Sequence, residues 1–323
     1  MNLFITGANG FVGQHVVKYF QKDHPSINLF IPTRSELDLR LYPEMCQYIS
    51  RNEITDVIHL AARVGGIGAN KNFPAQFFYD NLYLSINVMH AASQFTRIER
   101  FINIGTICSY PKHTPVPFKE EELWNGYPEE TNAPYGIANK AAIVYGQALN
   151  DEYGLSVMNL LPVNMTGEFD NFDPAYSHVI PAIILKIDRA MDNGDNEVNL
   201  WGTGTATREF LYAGDMAIAV RKALEIDSPD SSPINIGTGK EISIRDLADC
   251  IADIMLFNGT IIFTGQVSDG QPRRCLDTQK AKDILDFEAK TSFAEMLGRS
   301  VSYYYELKKT NPDLINDYMR RIS

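Results

Sequence analysis

Short apolar runs alternate with longer segments of helical period through the first half of the chain. Leu3 to Thr6 reads as a buried first strand, and Gly13 to Gln21 as the helix after it, with Val16, Val17 and Phe20 at helical spacing. Leu29 to Ile31, Val57 to Leu60 and Phe101 to Ile104 repeat the strand signature. Asn81 to Phe95 and Tyr135 to Tyr153 supply helices, and Leu155 to Leu161 a later strand that ends at Pro162. Strands separated by helices predict an α/β fold, a Rossmann-type parallel sheet flanked by helices.

After Pro162 the pattern changes. Glu168 to Ser177 is rich in Asp, Asn, Pro and aromatics and reads as a loop. Ile180 to Met191 has helical spacing, and Glu209 to Leu224 is expected to return to the sheet. From Ile234 onward short strands and a helix, Ile244 to Phe257, lead to a loop, Asp269 to Arg274, and a polar C-terminal tail. The expected division is a dinucleotide-binding domain over residues 1–165, with the chain returning at about 207–232. A smaller C-terminal α/β substrate domain would take 166–206 and 233–323.

Composition narrows the function classes. A chain of 323 residues makes one large domain or two modest ones, and 45% hydrophobic with 21% charged residues is ordinary globular usage. Twenty-nine Lys and Arg against 40 Asp and Glu give a net charge of −11, which argues against nucleic acid or an anionic membrane as partner. Any phosphate must meet a local cluster of donors. Four cysteines without a CxxC pair imply neither a disulfide framework nor a metal site, and a reducing, cytoplasmic compartment is expected. No secretory leader and no membrane-length apolar run stand out.

Gly7-Ala8-Asn9-Gly10-Phe11-Val12-Gly13 directly follows the first strand and opens the first helix. This GxxGxxG spacing suits a dinucleotide pyrophosphate: glycines allow the tight turn, the close approach of backbone to phosphate and the packing of helix on strand. The helix N-terminus adds unpaired N–H groups and a positive dipole end. A ligand-free βα turn is the plainer alternative. About 20 residues on, where a carboxylate would accept the ribose 2′-OH of NAD, the sequence reads Ile31-Pro32-Thr33-Arg34-Ser35. Arg34 is suited to a 2′-phosphate, with Thr33 and Ser35 as donors, so NADP is the expected cofactor. Asp38 either contacts the adenine or caps a turn.

Further blocks accompany this turn: His59-Leu60-Ala61-Ala62-Arg63-Val64-Gly65-Gly66-Ile67, Cys108-Ser109-Tyr110-Pro111-Lys112, Thr131-Asn132-Ala133-Pro134-Tyr135, Asp170-Asn171-Phe172, Ser177-His178-Val179-Ile180-Pro181-Ala182, Trp201-Gly202-Thr203-Gly204 and Arg208-Glu209-Phe210-Leu211. In family order through about residue 280, they resemble the extended short-chain dehydrogenase/reductase family. Within it they are closest to the branch that acts on GDP-4-keto-6-deoxy-mannose as a 3,5-epimerase and 4-reductase. The resemblance implies Tyr135 as proton donor to the C4 oxygen and Thr106 as the hydroxyl that orients the ketone. Cys108 and His178 would be the pair that removes and returns protons beside the ketone. Taken alone, Cys108 also reads as a small buried hydrophobe and His178 as a polar residue heading a helix. The family's lysine, four residues after the tyrosine, is Asn139 here, with lysine one place later at Lys140. At about 100° per residue, Lys140 is rotated well away from Tyr135, so the phenol loses its cation while Asn139 keeps a hydrogen bond for the ribose.

By the same resemblance, cofactor contacts fall on Gly7, Asn9, Gly10, Phe11, Val12, Gly13, Arg34, Asp38, Leu60, Ala61, Ala62, Asn81, Tyr135, Asn139, Pro162, Asn164 and His178. A GDP-sugar diphosphate would meet Lys186, Arg208 and Arg274, with Arg273 beside them. Guanidinium matches phosphate in two-point geometry, which singles out Arg208. Trp201 either stacks on the base or closes the core, and Asn164 and Asn171 line the sugar site. The family's aspartate before Asp215 is Gly214 here, and its Tyr-Gly-Pro after Asn164 reads Met165-Thr166-Gly167-Glu168. The implied assembly is a homodimer formed by the helices at Asn81 to Phe95 and Tyr135 to Tyr153.

Overall fold

The computed structural model describes residues 1–226, 231–265 and 270–321. The first half is β1 (Asn2–Thr6), α1 (Phe11–Asp23), β2 (Asn28–Phe30), α2 (Tyr42–Arg51), β3 (Asp56–His59), α3 (Ile67–Asn72), α4 (Pro74–Ser93), β4 (Arg100–Ile104) and α5 (Ala133–Tyr153). There follow β5 (Ser156–Pro162), β6 (Asn164–Thr166), α6 (Val179–Asn193), β7 (Glu197–Leu200), β8 (Thr207–Tyr212), α7 (Ala213–Ala223) and β9 (Ile234–Ile236). The chain ends with β10 (Glu241–Ser243), α8 (Ile244–Ile254), β11 (Thr260–Phe263), α9 (Gln279–Leu285), α10 (Phe293–Thr310) and α11 (Pro312–Arg321).

Six strands form a parallel sheet in the order β2-β1-β3-β4-β5-β9. Alternation along each strand supplies both helical layers, because successive side chains point to opposite faces. Leu3 and Ile5 of β1 pack with Val16 and Phe20 of α1 and with Met216 and Val220 of α7. Phe4, between them, meets Met45 and Ile49 of α2 and Val88 of α4 on the other face. Each such side chain, fully buried, contributes roughly 1.5–3 kcal/mol. The strand order reverses at β1, where β2 lies on one side and β3 on the other. A ligand crevice is expected beyond the carboxyl ends of strands at such a switch point.

The second apolar cluster gathers α6, β7, α8, α10 and α11 around Ile184, Leu200, Leu247, Ile251, Leu297 and Tyr304. Here two expectations need revision. The supposed polar tail contains three helices, α9, α10 and α11: Met296, Leu297, Ser300, Val301 and Tyr304 are the buried stripe of α10, hidden in sequence by the charged residues between them. The return to the sheet is split. Thr207–Tyr212 pairs with β6 and β10 in a separate three-stranded sheet, α7 packs against α1, and the strand that joins the large sheet is β9, beyond residue 232. Helix α4 also begins seven residues before the expected start. Pro74 sits in its first turn, while Phe78 and Tyr79 point outward and blur the apolar period. Among the described residues, no helix is long and apolar enough to cross a membrane.

Where β1 and β3 end side by side, Thr6 Oγ1 lies 2.8 Å from His59 Nδ1, and Ser85 Oγ lies 3.3 Å from its Nε2. Burial holds the imidazole neutral, its pKa lowered to about 4, against about 6.5 in an unfolded chain. The unfolded state therefore takes up the proton first. This contribution is intact above pH ~6.5 and is lost as pH falls toward 4. Denaturant titrations between pH 7 and pH ~4.5 should show the wild type losing roughly 2–3 kcal/mol more than His59→Gln. Equal losses in both proteins would assign the acid sensitivity elsewhere.

Candidate active site

The glycine turn follows from contacts that admit no side chain. Gly7 has φ +69°, and a Cβ there would lie 2.7 Å from the Leu60 carbonyl carbon and the Ala61 nitrogen. The turn after β1 and the loop after β3 thus touch backbone to backbone. A Cβ on Gly13 would stand 2.1 Å from the Gly7 oxygen. Gly10 caps α1 without a side-chain hydrogen bond and donates its own N–H to Gly7 O at 2.9 Å. The first amides of α1 have no carbonyl one turn back within the helix, so they are the donors available to a pyrophosphate. Thr6 Oγ1 also accepts from Leu60 N and Ala61 N, both at 3.2 Å, fixing the Leu60 to Ala62 loop. Asn81 holds the next stretch: its Oδ1 accepts from Arg63 N at 2.9 Å and its Nδ2 donates to Arg63 O and Phe77 O. With its amide so engaged, Asn81 shapes the cradle wall.

The rim after β2 is anchored from below, by buried Leu37 and by Tyr83 of α4, which donates its hydroxyl to Arg40 O at 3.0 Å, while its polar side chains pair locally. Thr33 donates from its N–H and its hydroxyl to Glu36, at 2.7 and 2.8 Å, and these bonds hold the Glu36 carboxyl below its ordinary value. Arg34 and Ser35 are exposed. Asp38 accepts a two-point contact from Arg40 that lowers its pKa to about 2. Asp38 Oδ1 also accepts from Arg40 N at 3.0 Å, which closes a turn.

Beyond β4 the chain forms a 3-10 turn at Ile107–Ser109, started by Thr106, whose Oγ1 accepts from Cys108 N at 3.2 Å. Helix α5 presses on this turn so closely that a Cβ on Gly136 would lie 2.4 Å from Cys108 O. That glycine is what lets Tyr135, its neighbour, share a site with Cys108 and Thr106. Burial pushes the Tyr135 phenol above its ordinary value and Cys108 adds to this; hydrogen bonds with Thr106 and Asn139 partly offset the rise. Asn139 also donates to Tyr135 O at 2.9 Å. Lys140 points elsewhere, with Nζ 3.2 Å from Gly126 O and 5.5 Å from the Trp124 ring centroid, and burial lowers its pKa. No cation from α5 stands beside the phenol.

The double glycine has a comparable purpose. A Cβ on Gly66 would meet Ser177 O at 2.6 Å, and Gly66 N donates to Tyr176 O at 3.0 Å. The segment that ends in His178 therefore lies on the loop after β3. Gly65 faces Phe77 and Tyr176, and the Phe77 ring sits edge-on to Tyr135 with centroids 6.3 Å apart. His178 is the N-cap of α6, with Nδ1 3.9 Å from Asp170 Oδ1. Burial works against its protonated form, the Asp170 carboxylate favours it, and the balance lies above the ordinary histidine value.

The basic residues separate. Arg274 is buried, donates Nε to Gln271 at 3.0 Å and brings Nη1 to 3.4 Å from Cys108 Sγ. Gln271 is anchored in turn on Pro111 O and Lys112 O. Arg273 turns outward onto Glu241 and offers no free charge to a diphosphate. Arg208 is buried, with Nη1 2.7 Å from Thr207 O. Lys186 donates to Asn199 O at 3.1 Å and lies 5.1 Å from the centroid of Trp201. At 58% exposure, Trp201 does not close the core. Pro162 is buried at the end of β5, Asn164 braces β6 on Glu209 O, and Asn171 Oδ1 accepts from Asp173 N within its own loop. Sequence reasoning did not find Asp170, Gln271 or the buried Glu209, which gathers the amides of Thr238, Gly239 and Leu276. Asp170 and Glu209 stand inside blocks already singled out, and Gln271 three places before Arg274, but nothing in those positions marks the side chain as buried.

Residues 3–237 match the family described as NAD dependent epimerase/dehydratase. The chain is 36% identical over 290 residues to the GDP-L-fucose synthase of Escherichia coli (strain K12), covering 87% of this chain and 90% of that protein. Among solved structures it resembles a GDP-6-OMe-4-keto-L-xylo-heptose reductase from C. jejuni, with a TM-score of 0.86, 27% identity and coverage of 96% and 98%. It also resembles a GDP-L-fucose synthetase from Naegleria fowleri bound to NADP, with a TM-score of 0.85, 25% identity and 95% of each chain covered.

Because Gly13 has no room for a methyl group, Gly13→Ala should lower dinucleotide affinity by tenfold or more, read by fluorescence titration, while the circular dichroism spectrum stays native. Unchanged affinity would show that the cradle is not where the dinucleotide lies.

Proposed function

The chain belongs to the NAD dependent epimerase/dehydratase family, and from that premise we propose that it is an NADPH-dependent 3,5-epimerase and 4-reductase that converts GDP-4-keto-6-deoxy-mannose to GDP-L-fucose. The observation that carries this reading is the meeting of Thr106, Cys108 and Tyr135 at one crevice, joined by His178 across the double glycine. The relatives named as GDP-L-fucose synthases support the substrate.

C3 and C5 both lie beside the C4 ketone, so their protons are acidic. Removing one leaves an enolate whose oxygen accepts from the Thr106 and Tyr135 hydroxyls. Of the pair Cys108 and His178, one takes the proton and the other returns one on the opposite face. His178, whose protonated form Asp170 favours, suits the donor's part. Exchange of these protons with solvent resets the pair, so epimerisation in D₂O labels C3 and C5. NADPH, when bound, supplies hydride to C4. The amides opening α1 would hold its pyrophosphate, with Gly7, Asn9, Gly10, Phe11, Val12 and Gly13 forming the turn. Arg34 would meet the 2′-phosphate, Asn139 the nicotinamide ribose, and the Leu60 to Ala62 backbone would flank it. Tyr135 protonates O4 as the alcohol forms. Arg208, Lys186 and Trp201 would receive the GDP.

Asn139 favours one second reading, in which epimerisation is retained and reduction is slow. Without a neighbouring cation, the phenolate left after proton transfer is costly in a buried site. The two readings divide in D₂O. The first expects NADPH oxidation together with deuterium at C3 and C5; deuterium without oxidation favours the second, and neither signal removes this substrate. Asn139→Lys should raise the rate of NADPH oxidation about tenfold. Tyr135→Phe should lower it about a hundredfold while deuterium uptake changes only a few-fold.

A homodimer in a reducing, cytoplasmic setting completes the proposal. Helices α4 and α5 pack together and turn Tyr79, Tyr83, Val144 and Tyr153 outward, and the four cysteines are free. Light scattering should give twice the 36.3 kDa chain mass for the wild type and a shift toward monomer for Val144→Arg; a monomeric wild type would overturn the dimer.

A further inference from the structure

The loop between β6 and α6 carries three carboxylates in different circumstances. Glu168 accepts from the Tyr212 hydroxyl at 2.9 Å and faces Arg299 at 3.5 Å. Asp173 accepts from Ala175 N at 3.0 Å and pairs with Arg321 at 3.2 Å. Asp170 is more deeply buried than either, with its side chain 3% exposed. Its Oδ1 accepts from Asn171 N at 2.7 Å, and its Oδ2 is buried with no hydrogen-bond partner among the described residues.

A buried carboxylate so thinly solvated burdens the fold, since removing an ionised group from water is costly unless it is paired. The ionisable group set against it is His178, with Nδ1 3.9 Å from Oδ1. Charges nearby have partners of their own: Glu168 and Asp173 as above, and along α6 Lys186 on Asn199 O and Asp188 on Lys308. The Gly66 contact clamps the backbone just before His178, so the ring can swing only about its own side-chain bonds.

We propose that Asp170 is the positioning residue of His178, attracting Nδ1–H so that the ring keeps one tautomer and one orientation, with Nε2 directed at the sugar. Asp170 touches no substrate. It acts through the imidazole, as carboxylates that orient histidines do in metal sites and catalytic triads. The elevated proton affinity of His178 agrees with this arrangement. The proposal rests on the reading of His178 as a proton-transfer group and adds what makes it one.

The test begins without substrate. Histidine-labelled enzyme is titrated by NMR, with His178→Gln used to identify the resonance. The wild type should hold the Nδ1–H tautomer when neutral, and in Asp170→Asn the midpoint should fall and the tautomer preference weaken. Asparagine preserves the acceptor for Asn171 N, so the loop should remain folded. In D₂O, the same variant should lose roughly tenfold in kcat for deuterium uptake near neutral pH, with KM within about twofold. Its pH profile should shift toward acid, and Asp170→Glu should recover part of the rate.

An unchanged midpoint in a folded Asp170→Asn overturns the proposal. So does a wild-type His178 found as the Nε2–H tautomer, a measurement that needs no variant. A shifted midpoint in an enzyme that leaves the GDP-sugar untouched would sink the functional reading and leave the Asp170–His178 pairing standing.

Discussion

Backbone meeting backbone is the constraint on which the site depends. Gly13 sits on the Gly7 oxygen, Gly7 on the loop after β3, Gly136 on Cys108 O and Gly66 on Ser177 O, each within a distance that a Cβ could not survive. These contacts join five segments, the turn after β1, the loop after β3, the turn after β4, the start of α5 and the stretch before α6. The two apolar layers cover the sheet on both faces, so core packing supplies the frame and the glycines set the spacing within it. Reactive side chains then fall together because the chains that carry them cannot stand further apart.

Electrostatics adds a second level. The chain is acidic overall, yet its buried guanidiniums are placed singly: Arg274 against the Cys108 sulfur and Arg208 against Thr207 O. On the opposite side a buried carboxylate, Asp170, faces His178. Cys108 and His178 thus each stand beside a charge of opposite sense to their own ionised form. For Tyr135, burial raises the phenol, and hydrogen bonds with Thr106 and Asn139 only partly offset it.

Much of this was legible in the sequence, for identifiable reasons. Short apolar runs and helical patterns revealed β1, β3, β4, α5 and α6 because the strands are buried on both faces and the helices carry buried stripes. The glycine turn was legible because its spacing is itself the geometry. The rotation of Lys140 away from Tyr135 followed from helical pitch alone. What escaped were contacts between segments far apart in the chain: Gln271 on Pro111 O, Glu209 on Leu276 N, Asp170 beside His178. Arg273 and Arg274 are adjacent and alike in type, yet one turns to a surface glutamate and the other into the site. The C-terminal helices escaped because their apolar stripe is narrow and richly interrupted by charge.

The rim after β2 has a further meaning. Thr33 with Glu36, and Asp38 with Arg40, close their side-chain bonds within a few residues of themselves, while the backbone that carries them is tied to α4 through Tyr83 and Asn87. The floor, by contrast, tolerates no added atom. The polar tips of the rim can therefore be exchanged without touching the glycine contacts, whereas the backbone that carries them moves only with α4 and the core beneath it.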